Sequence, residues 1–411
     1  MLKTSRTATK PPPPEPATIE QALDQRPDEI ILDKSGRLRQ AGADPIESKR
    51  IADMKPKAEA SLFYFWKYIL AINRLEKGKS IISPRLHGDF CNFLQRTPPY
   101  RKMYLMPRGH LKSACVSEAL PLHILFQPKE RNLYWDGLDG SQMRILLIGE
   151  KQELMSAHLR FMQRQCENNK YIRAFWGERI WDSPRKQAQH WNAIEMKLPV
   201  SDEIGDHYAD PHIRVIGVGG AITGAHPSVL IKDDLISKEA ANSPVVMQTA
   251  IEYHKTSRAL LSPNEDIGLE FIIGTKWAVA DLYDDIIKND PTVEVCVRAI
   301  VEFGQPIWPE KKTLADVEAL KKEHGAMFWL LYMNSAADPE LTDFHEQHLR
   351  AYRIEGDEIV FDEDGRDVVL AERAAPHEHV EQPVPDLRGK PLKQALDEIG
   401  ERRRGWMWRS G

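Results

Sequence analysis

Between about residue 100 and about residue 300, short apolar runs alternate with longer stretches whose apolar positions recur three or four residues apart. The runs RKMYLM, RILLIG, HIRVIGV, SVLIKDD, LEFIIGT and VEVCVRAIV read as strands. The stretches KSACVSEALPLHILF, EKQELMSAHLRFMQRQCENN, SPVVMQTAIEYHKTSRALL and AVADLYDDIIKND read as helices, with Pro121 expected to kink the first or end its first segment. This alternation predicts βαβ units, and hence an α/β fold around a mainly parallel sheet.

The flanks read differently. Residues 1–55 mix a proline run with charges and few aromatics, a composition that buries too little apolar surface to order itself, so a flexible arm is expected. From Lys57 to Leu75, Leu62, Phe63, Trp66, Ile69 and Leu70 fall at helical spacing and predict an amphipathic helix where the ordered part begins. The dense aromatics Phe63, Tyr64, Phe65, Trp66 and Tyr68 are expected in the core. After Glu310, TLADVEALKKEHG reads as a helix leading into FWLLYMNSAADPEL, and RIEGDEIVFDEDGRDVVL reads as a hairpin. The expected division is an arm over 1–55, one domain over 56–335, and a charged linker, hairpin and tail over 336–411.

Composition narrows the class. The 411 residues are 42% hydrophobic, enough for a large core. No apolar run approaches the roughly 18 to 20 residues that span a bilayer, and the N-terminus has no apolar segment resembling a secretion signal, so a cytoplasmic protein is expected. The four cysteines form no C-x-x-C pair, which argues against zinc ribbons and a disulfide framework. A net charge of -5 provides no global footprint for nucleic acid, though a local basic surface could still grip it.

Chemistry concentrates at three strand ends. YLMPRGHLKSACV hands an apolar run over to a helix through Lys112-Ser113, the ending of a phosphate loop: lysine for phosphate charge, hydroxyl for magnesium. The general pattern G-x-x-x-x-G-K-[ST] wants glycine where Met106 and Leu111 stand; Gly109 leaves one point of close backbone approach. About 120 residues on, VLIKDDLIS ends a strand in Asp233-Asp234, suited to holding magnesium and activating a water. FIIGTKW ends another in Gly274-Thr275. All three tips fall where open α/β sheets place ligands.

MPRGHLKS, RILLIGEKQELMSAHLRFMQRQCENNKYIRAFWG, GVGGAITGAHPSVLIKDDLIS, GTKWAVADLYDDI and IWPEK together resemble the ATPase domain of tailed-phage large terminase subunits, over roughly residues 60 to 345. In that family the loop takes the form x-x-P-R-G-x-x-K-[ST]. The resemblance implies a P-loop NTPase fold of the additional-strand, RecA/helicase-like type, flanked by the flexible arm and tail. It implies ATP bound by Pro107, Arg108, Gly109, His110, Leu111, Lys112 and Ser113, with Arg108, Lys112 and Asp234 catalytic. Mg2+ would sit on Ser113 and Asp233, and Gly274, Thr275 and Trp277 would couple hydrolysis to movement. Asp234 stands where many members have Glu, one methylene longer. The glycine-rich segment from Gly217 to His226 resembles a family loop near nucleotide or DNA.

The implied function is ATP-driven translocation of viral double-stranded DNA into a procapsid, in the cytoplasm of the bacterial host and without remaining in the virion. The implied partners are a portal protein, a small terminase subunit and further copies of the chain in a homo-oligomeric ring; no membrane is involved. Arg258 is a candidate for the arginine that such motors supply to a neighbour. The family's usual nuclease domain does not fit in the residues after Asn334, and endonuclease activity is not expected of this chain. Asp357, Asp362, Asp364 and Asp367 read as a solvated turn. Two other functions fit the same motifs: a helicase-like or repair ATPase without a capsid partner, and an inactive prophage remnant serving as a scaffold. His87 and His110 lack metal spacing and are expected to be structural or solvated; His345, His348, His377 and His379 are expected to be exposed; and the basic end with Arg402, Arg403, Arg404, Trp406 and Trp408, which could touch phosphate and bases, is expected to be a disordered tail.

Overall fold

The structure is a computed structural model that describes residues 45–70, 75–76, 79–200, 210–222, 226–261, 268–336, 352–355 and 358–361. Seven strands form the central sheet: β1 (Arg101–Leu105), β2 (Ile145–Gly149), β3 (Glu195–Met196), β4 (Ile213–Gly217), β5 (Val229–Asp233), β6 (Leu269–Gly274) and β7 (Glu294–Val297). Their order is β3-β4-β2-β5-β6-β1-β7. Every pairing is parallel except that of β3 with β4. The α/β expectation therefore holds, and each of the six predicted strands forms. The strand β6 lies between β1 and β5, the additional-strand arrangement.

Register brings the chemistry to one edge. Leu105 pairs with Gly274, Ile273 with Asp233, and Asp233 with Gly149, so the loops leaving β1, β5 and β6 share the carboxyl edge. Alternate residues of each strand enter opposite cores. Tyr104, Leu147, Ile231 and Ile273 face the larger one, while Met103, Leu105, Ile148, Leu230 and Ile272 face the smaller. A sheet covered on both sides leaves no polar alternation in its strands, which is why they read as unbroken apolar runs.

The larger core packs against α1 (Pro45–Ala60), α2 (Asp89–Gln95), the helix α3 (Leu120–Leu125) and α4 (Gln152–Asn168). The smaller packs against α5 (Pro244–Arg258) and α6 (Leu282–Asn289). A third cluster joins Ile300 and Val317 of α7 (Leu314–His324) to Phe328 and Leu331 of α8 (Met327–Leu331), with half-buried Trp277 against it. Phe65, Trp66 and Tyr68 are buried, as expected of that aromatic run.

Two expectations are corrected at the N-terminal side. Helix α1 starts at Pro45, inside the stretch read as an arm, and runs through Pro56. Proline suits a first helical position, and burial of Met54 and Ala58 in the larger core outweighs the backbone bond that Pro56 forfeits. The helix expected from Lys57 to Leu75 is interrupted at Ser61, which is extended and caps Leu62–Tyr64 by accepting the Tyr64 N–H; the π-helical turn Phe65–Ile69 follows. Near Pro121 the expected helix changes character: the π-helical Ala114–Ala119 ends and passes directly into α3, with Pro121 in the first turn of α3. The expected hairpin pairs Tyr352–Glu355 with Glu358–Phe361. No helix among the described residues is long and apolar enough to cross a membrane.

Candidate active site

The loop leaving β1 is pinned at three points. Met106 N–H donates to Gly274 O at 3.1 Å, extending the β1–β6 ladder, and the Thr275 hydroxyl donates to Met106 O at 3.1 Å. Arg108 N–H donates to Leu331 O at 3.0 Å, tying the loop to the end of α8. The chain then turns through Gly109 (φ 81) and Leu111 (φ 64) into the helix that begins at Lys112.

The missing glycines now have separate explanations. Met106 is fully buried and spends its side chain on the larger core. Leu111 takes the left-handed backbone conformation that a glycine would adopt freely, at a cost of roughly 1–2 kcal/mol. Its half-buried side chain packs on the same core, which offsets that strain. The loop thus departs from the general pattern in sequence while keeping a left-handed residue where the second glycine belongs.

Three polar contacts join the loop and its helix to the end of β5, and a fourth holds that end to β6. Lys112 Nζ lies 2.8 Å from Asp234 Oδ2. The Ser113 hydroxyl donates to Asp233 Oδ1 at 3.0 Å, and the Ser117 hydroxyl donates to Asp233 Oδ2 at 2.5 Å. Asp234 N–H donates to Ile273 O at 3.0 Å, while φ 44 turns Asp234 out of the strand. Burial, and then the neighbouring Asp234 charge, push the Asp233 carboxyl above its ordinary range, against the pull of Lys112.

These residues fit magnesium and a phosphate. Ser113 and Asp233 offer hard oxygen donors side by side, the ligand type magnesium prefers. A divalent cation would also offset the charge crowding that now raises Asp233. The buried Asp234 Oδ1 has no hydrogen-bond partner among the described residues, so the acidic pair retains an unused acceptor there. Among the described residues the backbone N–H groups of Gly109 to Ser113 donate to no protein acceptor, leaving donors where a helix begins and its dipole favours an anion.

Arg108 and Trp277, singled out from different motifs, meet: the exposed guanidinium sits 5.4 Å from the Trp277 ring centre. Trp277 also touches the second and third cores, so loop, β6 tip and the α7–α8 unit share one side chain. Gly274 is explained by Tyr283: a Cβ there would lie 2.0 Å from the tyrosine oxygen. Pro107 and His110 are buried in the loop. His110 Nδ1 lies 3.1 Å from Arg108 O and its imidazole is held neutral, burial lowering it to about 4.

Other candidates fall elsewhere. Arg258 donates to Asp290, which also pairs with Arg101 at the start of β1, so Arg258 lies at the opposite edge of the sheet from Lys112. The described start of the glycine-rich segment lies over β2 and β4, with Val218 N–H on Gly149 O and the Tyr253 hydroxyl on Gly220 O. His345, His348, His377, His379, Asp357, Asp362, Asp364, Asp367 and the basic end from Arg402 to Trp408 lie outside the described residues. No His, Cys, Asp and Glu grouping able to hold a metal by itself occurs among the described residues.

Sequence reasoning missed Ser117 and Asn334. Ser117 follows Ser113 by four positions, one helical turn, and that spacing was its only signal. Asn334 accepts from Lys276 N–H at 3.1 Å and donates to Arg298 O at 2.9 Å, joining the β6 tip to the chain beyond β7; nothing local marks it.

No protein-family model matches the sequence, and no curated protein matches it. Solved structures similar to this chain include the large terminase of bacteriophage HK97, at 15% identity and a TM-score of 0.36 over 60% of this chain and 44% of that one. They also include the large terminase ATPase domain of Thermus phage P74-26, at 14% identity and a TM-score of 0.38 over 65% of this chain and 100% of that one. The matched region thus spans less than half of the HK97 protein.

Proposed function

We propose that this chain is an ATP-hydrolysing motor subunit of a phage terminase, with the central sheet and the helices from α1 to α8 as its ATPase domain. The observation that carries the ATPase reading is the junction of loop and β5: Lys112 on Asp234, and Ser113 and Ser117 on Asp233. The role in moving viral DNA into a procapsid rests on the resemblance of MPRGHLKS, IKDD and GTKW to that family's motifs.

ATP would enter with its phosphates on the amides of Gly109 to Ser113. Lys112 would exchange Asp234 for the phosphates. That exchange releases the Asp234 carboxylate, which then has both oxygens available to orient an attacking water and receive its proton. Magnesium, held by Ser113 and Asp233, would supply charge neutralisation on the phosphate oxygens. Ser117 keeps Asp233 in one rotamer for that task. Arg108, with no carboxylate partner among the described residues, brings a second positive charge, and its seat on Trp277 gives hydrolysis a mechanical route to α7 and α8.

Phosphate release by the purified chain, with and without double-stranded DNA, tests the ATPase; no magnesium-dependent turnover under either condition would leave only a scaffold. Co-purification with the portal protein of the same genome tests the packaging role, since a helicase-like or repair ATPase has no reason to bind it.

A further inference from the structure

The phosphate loop leans on a side chain outside it. His87 is fully buried in the π-helical turn Pro84–Gly88, ahead of α2. Its Nδ1 accepts the Ser83 backbone N–H at 2.9 Å. A ring nitrogen that accepts carries no hydrogen, so the proton of the neutral imidazole sits on Nε2. Nε2 lies 3.3 Å from His110 O and donates to it. Burial keeps this ring neutral, lowering it to about 4.

The ring cannot swing away. It sits edge-on between Trp66, at 5.3 Å, and Trp308, at 4.9 Å, and Trp308 in turn contacts the His110 ring at 5.5 Å. Trp308 is itself anchored by its indole N–H on Ile81 O at 3.1 Å, and Ser83 Oγ donates to Glu310 at 2.9 Å. Segments before and long after the loop thus clamp His87 in one orientation.

A trans peptide points its carbonyl and the following N–H in opposite directions. Drawing His110 O toward His87 therefore turns the Leu111 N–H away from the core. That amide has no protein acceptor among the described residues, and it belongs to the residue held at φ 64. We propose that His87 is a positioning residue of the phosphate loop: its Nε2–H, bound to His110 O, orients the His110–Leu111 peptide so that the Leu111 amide meets phosphate. It thereby holds a leucine in the conformation for which other phosphate loops use glycine. The assignment rests on the reading of this loop as an ATP site.

The test compares two substitutions in the full chain. In His87→Gln the side-chain amide nitrogen can occupy the place of Nε2 and keep the His110 bond; in His87→Asn the side-chain oxygen replaces Nδ1 and that bond is lost. With comparable melting temperatures, His87→Asn should lower kcat/KM for ATP about tenfold, chiefly through KM, while His87→Gln stays within about threefold. Equal losses in both, or wild-type kinetics in His87→Asn, would reduce His87 to packing and overturn the proposal. Should neither variant fold, the wild-type chain decides: nitrogen NMR should find the His87 proton on Nε2, and binding of a non-hydrolysed ATP analogue should slow hydrogen exchange of the Leu111 amide. A proton on Nδ1, or a Leu111 amide left unprotected in the bound state, would refute the assignment. Lys112→Ala, run alongside, separates the two levels: full turnover there would sink the ATP site itself, not merely the role of His87.

Discussion

Lys112→Ala separates catalysis from stability more cleanly than any other change. Among the described residues Lys112 makes one ion pair, at 2.8 Å, with Asp234, whose side chain is 41% exposed against 10% for the lysine. Coulomb's law at an effective dielectric constant near 20 would assign such a pair about 6 kcal/mol. Solvent screening of the exposed carboxylate reduces the net value to about 1 kcal/mol. Loss of the buried aliphatic stem adds about 1 kcal/mol. The variant should therefore lose about 2 kcal/mol and melt roughly 4–8 °C lower, without unfolding. In the proposed site the Lys112 charge meets the transferred phosphoryl group, so turnover should fall by a factor of at least about 100. Thermal melting and steady-state phosphate release on the same preparation measure both. Turnover within tenfold of wild type in a folded variant would refute the site, and a loss well above 4 kcal/mol would refute the screening argument.

Four further outcomes follow from the same contacts. Asp234→Asn should free Lys112 and tighten ATP binding a few-fold while abolishing hydrolysis; unchanged affinity by equilibrium titration would show that the ion pair does not compete with nucleotide. Gly274→Ala should cost about 1–3 kcal/mol, since its methyl group would meet the buried Tyr283 hydroxyl at 2.0 Å; a wild-type melting temperature would contradict this. Lys102→Met should cost about 2 kcal/mol, because the ammonium caps α2 through Phe93 O at 2.7 Å, Leu94 O at 3.1 Å and Arg96 O, and denaturant unfolding would detect it. Burial pushes the Glu270 carboxyl up, but Lys232 and Arg101 hold it at about 2 instead of the ordinary 4.5. That contributes about 3 kcal/mol, complete above pH 4.5 and lost as pH falls through about 2. The same burial works against the Lys232 ammonium, so the pair as a whole contributes less than the carboxylate alone. Melting of Glu270→Gln should consequently decline less between pH 5 and pH 3 than that of wild type; parallel declines would dispose of the linkage.

The six long strands and their helices were legible because burial on both faces leaves an unbroken apolar run, which needs no knowledge of the partner strand. Strand β3 was not legible, since Glu195–Met196 exists only as an antiparallel addition to β4. The lysines at 102 and 232 interrupt strands as if exposed, yet both are buried. Lys102 is accommodated by helix-end carbonyls, and Lys232 by Glu270 at 2.6 Å and by His254. Neither compensation has a local signature.

The site divides along the same line. Lys112, Ser113, Asp233, Asp234, Gly274 and Thr275 stood out as candidates because each combines a residue type with a strand end, and both are local properties; Arg108 and Trp277 were singled out only by the family resemblance. What each touches was decided by strand register and helix docking: Ser117 on Asp233, Arg108 on Trp277, Asn334 between Lys276 and Arg298. The sequence by itself determined which residues are the candidates for phosphate and metal. Only the tertiary structure decided that a leucine could stand in a glycine's place, because the core packing that offsets the strain at Leu111 is assembled from elements distant in sequence.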